Sequence, residues 1–459
     1  MRRTLADVAA VTGGRLVGQD AHFISVSTDT RTLESGALFV ALRGPNFDGG
    51  EFMAAAATRG ANGALVMRAS SASIGQIVVP DTLQALQKIA LDWRDGFDLP
   101  VVAVAGSNGK TTTKEMIASI LGRTGACLST RGNLNNHIGV PLTLMRLDAS
   151  HRSAVIEMGA NRIGDVAQLM RWIRPKVAVL TNAGAEHLEG FGDLDGVAQG
   201  EGEAFSSLGA AGTAVINADD AYAAYWRDIA RGSKVLTFGI RAPADFSARE
   251  PVQTIEAGQF ATRFLLITPD GERELLLRVG GSHNLVNALA AAAAARAAGA
   301  SLDDIVSGLE EFRAVAGRLQ LKAGVRNSWI IDDSYNANPS SVRAGLDVLR
   351  SVGGATWLVL GDMAELGEHA VQSHVQIGEY ARECGVQRLF AVGPESSRAA
   401  ESFGAGAEWF PDAESLIRRL TSEVGSGVTL LIKGSRVNRL ERVVQALAGN
   451  TANPASKAS

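Results

Sequence analysis

The amino-acid sequence predicts an α/β protein built around parallel sheets, with the chain divided into three blocks. Short apolar runs alternate with amphipathic helical segments along most of the 459 residues, and this alternation favours parallel strands covered by helices. The composition agrees, because hydrophobic residues make up 46% of the chain and 51 glycines leave room for tight turns. A chain of this length can bury more than one hydrophobic core.

The first block covers residues 1–100 and predicts an N-terminal domain. It contains SVSTDTRTLESGALFVALRG, which reads as strand, turn and strand. The alanine-rich EFMAAAATRG follows as a helix, and GALVM follows as another apolar strand.

The second block covers residues 101–316 and predicts a central domain with a parallel sheet. Its predicted strands are VVAVAG, SAVIEMG, KVAVLTNA, TAVINA and KVLTFG. In RFLLITPDGERELLLRV two apolar runs flank Pro-Asp-Gly, which predicts a β-hairpin inserted into the α/β pattern. The helix HNLVNALAAAAAARAAG then ends at Gly299.

The third block covers residues 317–450 and repeats the alternation of strand and helix. Its predicted strands are SWIIDDSY, TWLVLGDM, RLFAVG and TLLIKGS, each followed by a polar or glycine-bearing turn. Open α/β sheets bind ligands at such turns. The tail at 451–459 shows no apolar periodicity, which predicts disorder.

Charge and hydropathy narrow the classes of function. The formal net charge is −4, so there is no basic excess for nucleic acid. We expect no membrane partner, since no uncharged apolar run reaches spanning length, and the N-terminus lacks the apolar core of a signal peptide. Two distant cysteines, Cys127 and Cys384, fit a reduced cytoplasmic protein.

The most informative motif is GSNGKTT at 106–112, directly after the apolar run VVAVA. Gly106 and Gly109 allow a tight turn whose N–H groups can face a phosphate. Lys110 can neutralise phosphate oxygens, and Thr111 offers Mg²⁺ a hydroxyl. The loop is a shortened GxxGK[ST] variant, because Val104 replaces the glycine of the usual pattern. A kinase, a GTPase, a nucleotide sensor and an ATP-driven ligase could all use it.

Further segments are shared with one family of proteins. They run from STDTR at 27–31 to KGSR at 433–436, nearly the whole chain, and include GNLNNHIGVPLTLMRL, IEMGAN, HLEGFG, GSHNLVNALAAAAA, GRLQ, DDSYNANP and GDMAELG. In this combination the sequence resembles the Mur ligases. The resemblance implies a UDP-substrate-binding N-terminal domain, a central ATP-binding domain with a P-loop ATPase-type parallel sheet, and a Rossmann-like C-terminal domain. The three blocks, drawn from pattern alone, agree with this division.

The resemblance also implies a reaction. ATP would phosphorylate the terminal carboxylate of a UDP-N-acetylmuramoyl-tripeptide, and the amine of D-alanyl-D-alanine would attack the acyl phosphate, with Mg²⁺ required. The third residue of the tripeptide stays open between lysine and diaminopimelate, and we expect a monomer. One alternative is a folylpolyglutamate-type ligase of the same fold, although such enzymes lack the STDTR and DDSYNANP segments. The other is a P-loop phosphotransferase or NTPase.

The resemblance assigns roles to individual residues. The implied catalytic residues are Lys110, Glu157, His187, Arg318 and Asp333, and the implied Mg²⁺ ligands are Thr111, Glu157, His187 and Glu201. The implied nucleotide contacts are the loop residues Gly106, Ser107, Asn108, Gly109, Lys110, Thr111 and Thr112, together with Asn284, Asn287, Arg318 and Asp333. The implied substrate contacts are Thr28, Asp29, Arg31, Asn135, Asn136, His137, Asn336, Asn338 and Arg436. Asn284 could also cap its helix, and Arg436 could belong to a surface turn.

One departure from the family concerns Glu201. The family usually places a lysine there that becomes carbamoylated and helps to hold the second Mg²⁺, whereas no lysine occurs at 199–203 here. We expect the Glu201 carboxylate to take its place without CO₂. Alternatively, Glu201 only begins an amphipathic helix.

Overall fold

The computed structural model describes residues 3–449 and contains three mixed or parallel sheets that follow one another along the chain. This arrangement confirms the α/β fold class. The tail at 451–459, predicted to be disordered, lies outside the described residues. Among residues 3–449, no helix combines the length and apolar character needed to cross a bilayer.

The first sheet has five strands in the order β2-β9-β8-β5-β4, of which only β2 is antiparallel to its neighbour. Helices α1 and α3 cover one face through buried residues such as Leu5 and Leu86. Because β4 and β5 are parallel, the loop at 28–36 runs back from the carboxyl end of β4 to the amino end of β5. The elements are β1 (Arg3–Thr4), α1 (Leu5–Thr12), β2 (Arg15–Val17), β3 (His22–Phe23), β4 (Ser25–Ser27), β5 (Ala37–Val40), β6 (Arg43–Gly44), β7 (Phe47–Asp48), α2 (Met53–Thr58), β8 (Gly63–Val66), β9 (Gly75–Val78) and α3 (Thr82–Asp95).

The central sheet is fully parallel, in the order β11-β12-β10-β13-β14-β15. Its strands are β10 (Val101–Ala105), β11 (Ala126–Ser129), β12 (His151–Glu157), β13 (Val177–Leu180), β14 (Thr213–Asn217) and β15 (Lys234–Phe238). Five of the six were predicted, and β11 was missed. Since Val104 pairs with Glu157 and Ala105 with Leu180, the carboxyl ends of β12, β10 and β13 meet at one edge.

The helices of the central block are α4 (Lys110–Leu121), α5 (Gly139–Leu144), α6 (Asp165–Ile173), α7 (Leu188–Phe191), α8 (Leu194–Ser206), α9 (Ala223–Ile229), α10 (Ser282–Ala297) and α11 (Leu302–Glu311). Two of them, α4 and α10, pack against each other. The alanines at 290–295 of α10 are fully buried and share one core with Met116 and Ile117 of α4. Small side chains let the two helix backbones approach closely.

The predicted hairpin is present, but it belongs to a larger unit. Strands β17 (Gln259–Thr268) and β18 (Gly271–Leu277) pair in antiparallel fashion, and β16 (Ser247–Glu256) adds a third strand on the other side of β17. The prediction missed β16 because its side chains are largely exposed and polar, so they carry no apolar pattern.

The third sheet has the order β19-β20-β24-β21-β22-β23, and only β19 is antiparallel. The elements are β19 (Gln320–Ala323), β20 (Trp329–Asp333), α12 (Pro339–Val352), β21 (Ala355–Gly361), α13 (Ala370–Glu383), β22 (Arg388–Val392), α14 (Ser396–Phe403), β23 (Ala407–Phe410), α15 (Ala413–Glu423), β24 (Val428–Lys433) and α16 (Glu441–Leu447). Short 3₁₀ turns lie at Gly49–Phe52, Gly122–Thr124, Val325–Asn327, Gly367–His369 and Arg436–Asn438. The four predicted strands are confirmed, whereas the edge strands β19 and β23 were missed.

Candidate active site

The glycine loop lies between β10 and α4, as the motif predicts. Gly106 and Gly109 have positive φ angles of 110° and 83°. A Cβ at Gly106 would overlap Thr181, and one at Gly109 would overlap the Asn287 side chain, so both positions require glycine. The first N–H groups of α4 have no partner within the helix, and its dipole favours an anion there. The loop therefore has the geometry of a phosphate site.

A second loop fixes the shape of the first. The Ser107 N–H donates to the Asn182 carbonyl at 2.9 Å, and the Asn108 N–H donates to the Asn182 side chain at 3.1 Å. The Ser107 hydroxyl and the Gly184 backbone exchange hydrogen bonds of 3.1 and 2.8 Å. Residues 182–184, which follow β13, thus fix the conformation of the glycine loop from one side.

Lys110 is half-buried and points back toward its own loop. Its ammonium donates to the carbonyls of Gly106 and Ser107, at 2.5 and 3.0 Å, and lies 3.0 Å from a carboxylate oxygen of Glu186. Burial lowers the pKa of Lys110, but the nearby carboxylates, Glu186 first, outweigh it and raise the pKa above its usual range. Lys110 is therefore a charged group held ready beside the loop. Glu186 was missed by the sequence analysis, although it directly precedes His187.

Glu201 lies directly beneath the loop on α8. It is 1% exposed, and its Oε2 accepts the Gly106 N–H at 2.8 Å. Burial raises the pKa of Glu201 to about 7, against the lowering effect of Lys110. The carboxylate thus holds the first glycine of the loop. The expected helix is present, but it begins at Leu194, so Glu201 lies within the helix and does not begin it.

Glu157 presents a free buried oxygen at the end of β12. Asn135 donates to its Oε1 at 2.9 Å, while its Oε2 is buried with no hydrogen-bond partner among the described residues. A buried carboxylate oxygen left unpaired is costly, and a cation would satisfy it. Carboxylate and hydroxyl oxygens are the ligands that Mg²⁺ prefers, so Glu157 and Thr111 fit such an ion.

The other two predicted metal ligands are engaged elsewhere. His187 has a positive φ of 51°, and its Nδ1 lies 2.9 Å from a carboxylate oxygen of Glu365 in the third block. Glu201 bonds the loop backbone. Within residues 3–449 no three His, Cys, Asp or Glu side chains form a cluster able to hold a metal ion.

The third block reaches the loop through two predicted residues. Asn338 donates to the Asn108 side chain at 2.8 Å, and Arg318 donates to the Thr111 hydroxyl at 3.3 Å. Asn338 also caps α12 by accepting the Ser341 N–H. The phosphate loop and the third block therefore share one cleft.

Asp333 and Asn336 lie slightly further back in that cleft. Asp333 accepts a 2.5 Å hydrogen bond from the buried Lys433, which also donates to the Asn336 carbonyl at 3.0 Å. The other oxygen of Asp333 accepts the Leu319 N–H at 3.1 Å, so both carboxylate oxygens have partners within the third block. Asn336 itself is exposed.

Asn284 and Asn287 form a buried amide chain at the start of α10. Asn284 donates to the Gly280 carbonyl at 2.8 Å, and Asn287 donates to the Asn284 side chain at 3.1 Å. Asn287 lies against Gly109. The N-cap of α10 is Gly281 and no side chain caps the helix, so the alternative that Asn284 caps it is wrong. The pair instead supports the back of the glycine loop.

The predicted substrate residues of the first two blocks make local contacts. Asp29 accepts several hydrogen bonds from the Arg31 side chain, and these hold the pKa of Asp29 below its usual range. Thr28 lies in the same loop, and Arg31 is 86% exposed along its side chain. Asn136 accepts the N–H groups of Ile138 and Gly139 at the start of α5, and the His137 carbonyl accepts from Gln87 at 3.2 Å.

Comparison with known families covers most of the chain. The Mur ligase family catalytic domain model matches residues 21–94, the Mur ligase middle domain model matches 104–295, and the Mur ligase glutamate ligase domain model matches 317–436. The matches follow the three sheets in order, and the middle match contains the glycine loop.

Individual relatives match over nearly their full length. The chain is 43% identical to the UDP-N-acetylmuramoyl-tripeptide–D-alanyl-D-alanine ligase of Escherichia coli K12, covering 97% of this chain and 98% of that one. A crystal structure of MurF from Acinetobacter baumannii superposes with a TM-score of 0.89 at 35% identity, covering 97% and 98% of the two chains. MurF from Thermotoga maritima, solved in complex with ADP, gives 0.81 at 27% identity, covering 92% and 96%. With the sheets, the glycine loop and these full-length matches in agreement, the chain belongs to the Mur ligase family.

Proposed function

We propose that this protein is an ATP-dependent amide ligase that joins D-alanyl-D-alanine to UDP-N-acetylmuramoyl-tripeptide. The observation that carries the proposal is the shared cleft, in which Asn338 and Arg318 of the third block contact Asn108 and Thr111 of the phosphate loop. A hydrolase needs only a nucleotide and water, whereas a ligase must bring a nucleotide and two further reactants together. The full-length similarity to ligases of this name supports the same activity.

The chemistry proceeds in two steps. The γ-phosphoryl group of ATP moves to the terminal carboxylate of the tripeptide, giving an acyl phosphate and ADP. The amine of the dipeptide then attacks the acyl carbon, loses a proton, and expels inorganic phosphate as the amide forms. Activation is required because a free carboxylate is a poor electrophile, and the protein contributes positioning and charge neutralisation.

Lys110, Arg318 and the N-terminus of α4 supply the neutralising groups. In the present arrangement the Lys110 ammonium is paired with Glu186 and two loop carbonyls. Bound phosphates would compete with those partners for its N–H groups. Glu186 keeps the half-buried ammonium paired until they do, because a charge shielded from water without a partner is destabilising.

Magnesium fits the same cleft. Glu157 with its unpaired Oε2, and Thr111 at the start of α4, are the residues that would hold it. When bound, Mg²⁺ would neutralise charge on the phosphate oxygens. His187 and Glu201 remain proposed ligands. Glu365 contacts only the Nδ1 of His187, which leaves the Nε2 of the ring for an ion, and metal-binding histidines commonly pair their other nitrogen with a carboxylate.

The remaining assignments follow from this function. Residues 1–100 would hold the UDP end of the substrate through Thr28, Asp29 and Arg31, residues 101–316 would bind ATP, and residues 317–450 would close over both. Asn135, Asn136 and His137 would contact the tripeptide. Asn336, Asn338 and Arg436 would contact the dipeptide. We further propose that the enzyme acts in the cytoplasm as a monomer.

Omission of one reactant at a time tests the function. Purified protein is supplied with ATP, Mg²⁺, UDP-N-acetylmuramoyl-tripeptide and D-alanyl-D-alanine, while phosphate release is followed and the product is weighed by mass spectrometry. We expect phosphate release only with both peptides present, and a product equal in mass to their sum less one water. Undiminished phosphate release without the dipeptide would instead support an NTPase. Tripeptides ending in lysine and in diaminopimelate, compared in parallel, would identify the substrate.

A further inference from the structure

Tyr335 lies between two arginines that the proposed function assigns to different reactants. The guanidinium carbon of Arg318 is 4.3 Å from the centre of the Tyr335 ring, and that of Arg436 is 5.7 Å away. Both distances are within the range of cation–π attraction. A single ring therefore attracts two like-charged groups.

The sheet topology explains why these three residues meet. β20 and β24 are parallel neighbours with Asp333 opposite Lys433, so the residues that follow them leave the sheet at the same edge. β19 is antiparallel to β20, with Gln320 opposite Asp332, so the residues that precede β19 start from that edge as well. Tyr335, Arg436 and Arg318 occupy these three positions.

The ring is fixed to the segment that carries Arg318. The Tyr335 N–H donates to the Gly317 carbonyl at 3.2 Å. Gly317 has a φ of 70°, and a Cβ there would lie only 3.2 Å from the Cβ of Tyr335. The connection between the central and third blocks is therefore packed directly against the tyrosine.

Apart from the Tyr335 ring, Arg318 and Arg436 contact different parts of the molecule. Arg318 donates to Thr111 at the phosphate loop. Arg436 pairs with Glu441 at 3.2 Å and, with Val437, Arg439 and Glu441, lines an open cavity of about 630 Å³. The ring thus joins the group that faces the nucleotide to the group that faces this cavity.

We propose that Tyr335 is a positioning residue whose ring holds Arg318 toward the nucleotide and Arg436 toward the carboxylate of the incoming dipeptide. The inference rests on the proposed function, which gives these arginines their ligands. The ring surface carries the effect, while the tyrosine hydroxyl is dispensable. A change that removes the ring should therefore weaken the use of ATP and of the dipeptide together.

Three variants separate the ring from its alternatives. Tyr335→Phe keeps the ring, Tyr335→Leu removes it, and Tyr380→Leu is the matched control, since Arg343 lies 4.4 Å from the Tyr380 ring between helices of the third block. We expect Tyr335→Phe and Tyr380→Leu to keep kcat/KM for all substrates within about twofold. Tyr335→Leu should lose on the order of 10-fold in kcat/KM for both ATP and D-alanyl-D-alanine, as expected for a desolvated cation–π contact. Its KM for the UDP-linked tripeptide should stay unchanged.

Several results would overturn the inference. An effect of Tyr335→Leu on the KM of ATP alone would make the ring a stacking surface for the base. Equal losses of kcat/KM in Tyr335→Phe and Tyr335→Leu, or in Tyr335→Leu and Tyr380→Leu, would also contradict it. If the Leu variant does not purify folded, Tyr335→Met provides the ring-free protein. Arg436→Ala should cost less for the dipeptide in the Tyr335→Leu background than alone, and full additivity would contradict the proposal. Wild-type protein that needs no dipeptide for phosphate release would refute the proposed function instead.

Discussion

Replacing Glu201 by glutamine should stabilise the protein at neutral and alkaline pH while leaving its stability in acid unchanged. The carboxyl group is 1% exposed, and burial raises its pKa from 4.5 to about 7. Between these values the folded protein keeps a proton that the unfolded chain has released. Stability therefore falls as the pH rises through this window. Glutamine has no charge to bury and can still accept the Gly106 N–H.

The size of the effect follows from the two pKa values. At 1.36 kcal/mol for each pH unit between them, ionising Glu201 in the folded state costs about 3 kcal/mol. On a unit the size of the central block, this corresponds to a shift of roughly 6–12 °C in melting temperature. Wild type and Glu201→Gln should thus unfold alike near about pH 4.5 and differ by that amount near about pH 8.

Urea unfolding without nucleotide, at both pH values, measures this difference. Glu274→Gln, a change at an exposed carboxylate on β18, controls for the loss of one negative charge. The reasoning is refuted if the gap between wild type and Glu201→Gln is the same at both pH values. It is also refuted if Glu201→Gln is the less stable protein near about pH 8, since the attraction of Lys110 would then outweigh the cost of burial.

Three further predictions concern the cleft. Lys110→Ala should reduce ligation roughly 10²–10³-fold, as measured by product formation, because it removes a charge aimed at the phosphates; unaltered turnover would exclude that role. Asn338→Ser should keep the cap on α12 but lose the contact with Asn108, so its activity should fall while its melting temperature stays unchanged. Asn338→Ala should lose the cap as well, and with it about 1 kcal/mol of stability. The turnover of the wild-type protein should not change when bicarbonate is added. If Glu201→Lys is active, its activity should require bicarbonate. A wild-type protein that depends on bicarbonate would contradict the expectation that the Glu201 carboxylate takes the place of the carbamoylated lysine.

The sheet strands that carry the site could be predicted because they are buried on both faces. Val101–Ala105 is a continuous apolar run, and Val428–Lys433 contains the apolar run at 430–432; both strands are buried at every position. Such runs are typical of a central parallel strand. The edge strands that the prediction missed in the second and third blocks lack this signal. Ala126–Ser129, Gln320–Ala323 and Ala407–Phe410 each have exposed or half-buried positions and polar residues, so their role depends on pairing that a local pattern does not contain.

The glycine loop could also be predicted, since its glycines and its lysine form a local motif that follows an apolar strand. The partners of its side chains could not. Glu186 pairs with Lys110 from 76 positions away, and Glu365 reaches His187 from another block. A sequence pattern that places Glu186 beside a histidine gives no information about which ammonium it faces. Tyr335 was likewise hidden, because only the joining of three strand ends brings it between two arginines.

The alanine helix has a consequence for how this enzyme can vary. Asn287, which touches the second glycine of the phosphate loop, belongs to the same rigid rod as the buried alanines at 290–295. A bulkier residue at one of the alanines that face α4 would push α10 away from that helix and move the amide off the glycine. Nucleotide handling can therefore be altered by substitutions deep in the interior, at positions that no reactant ever meets.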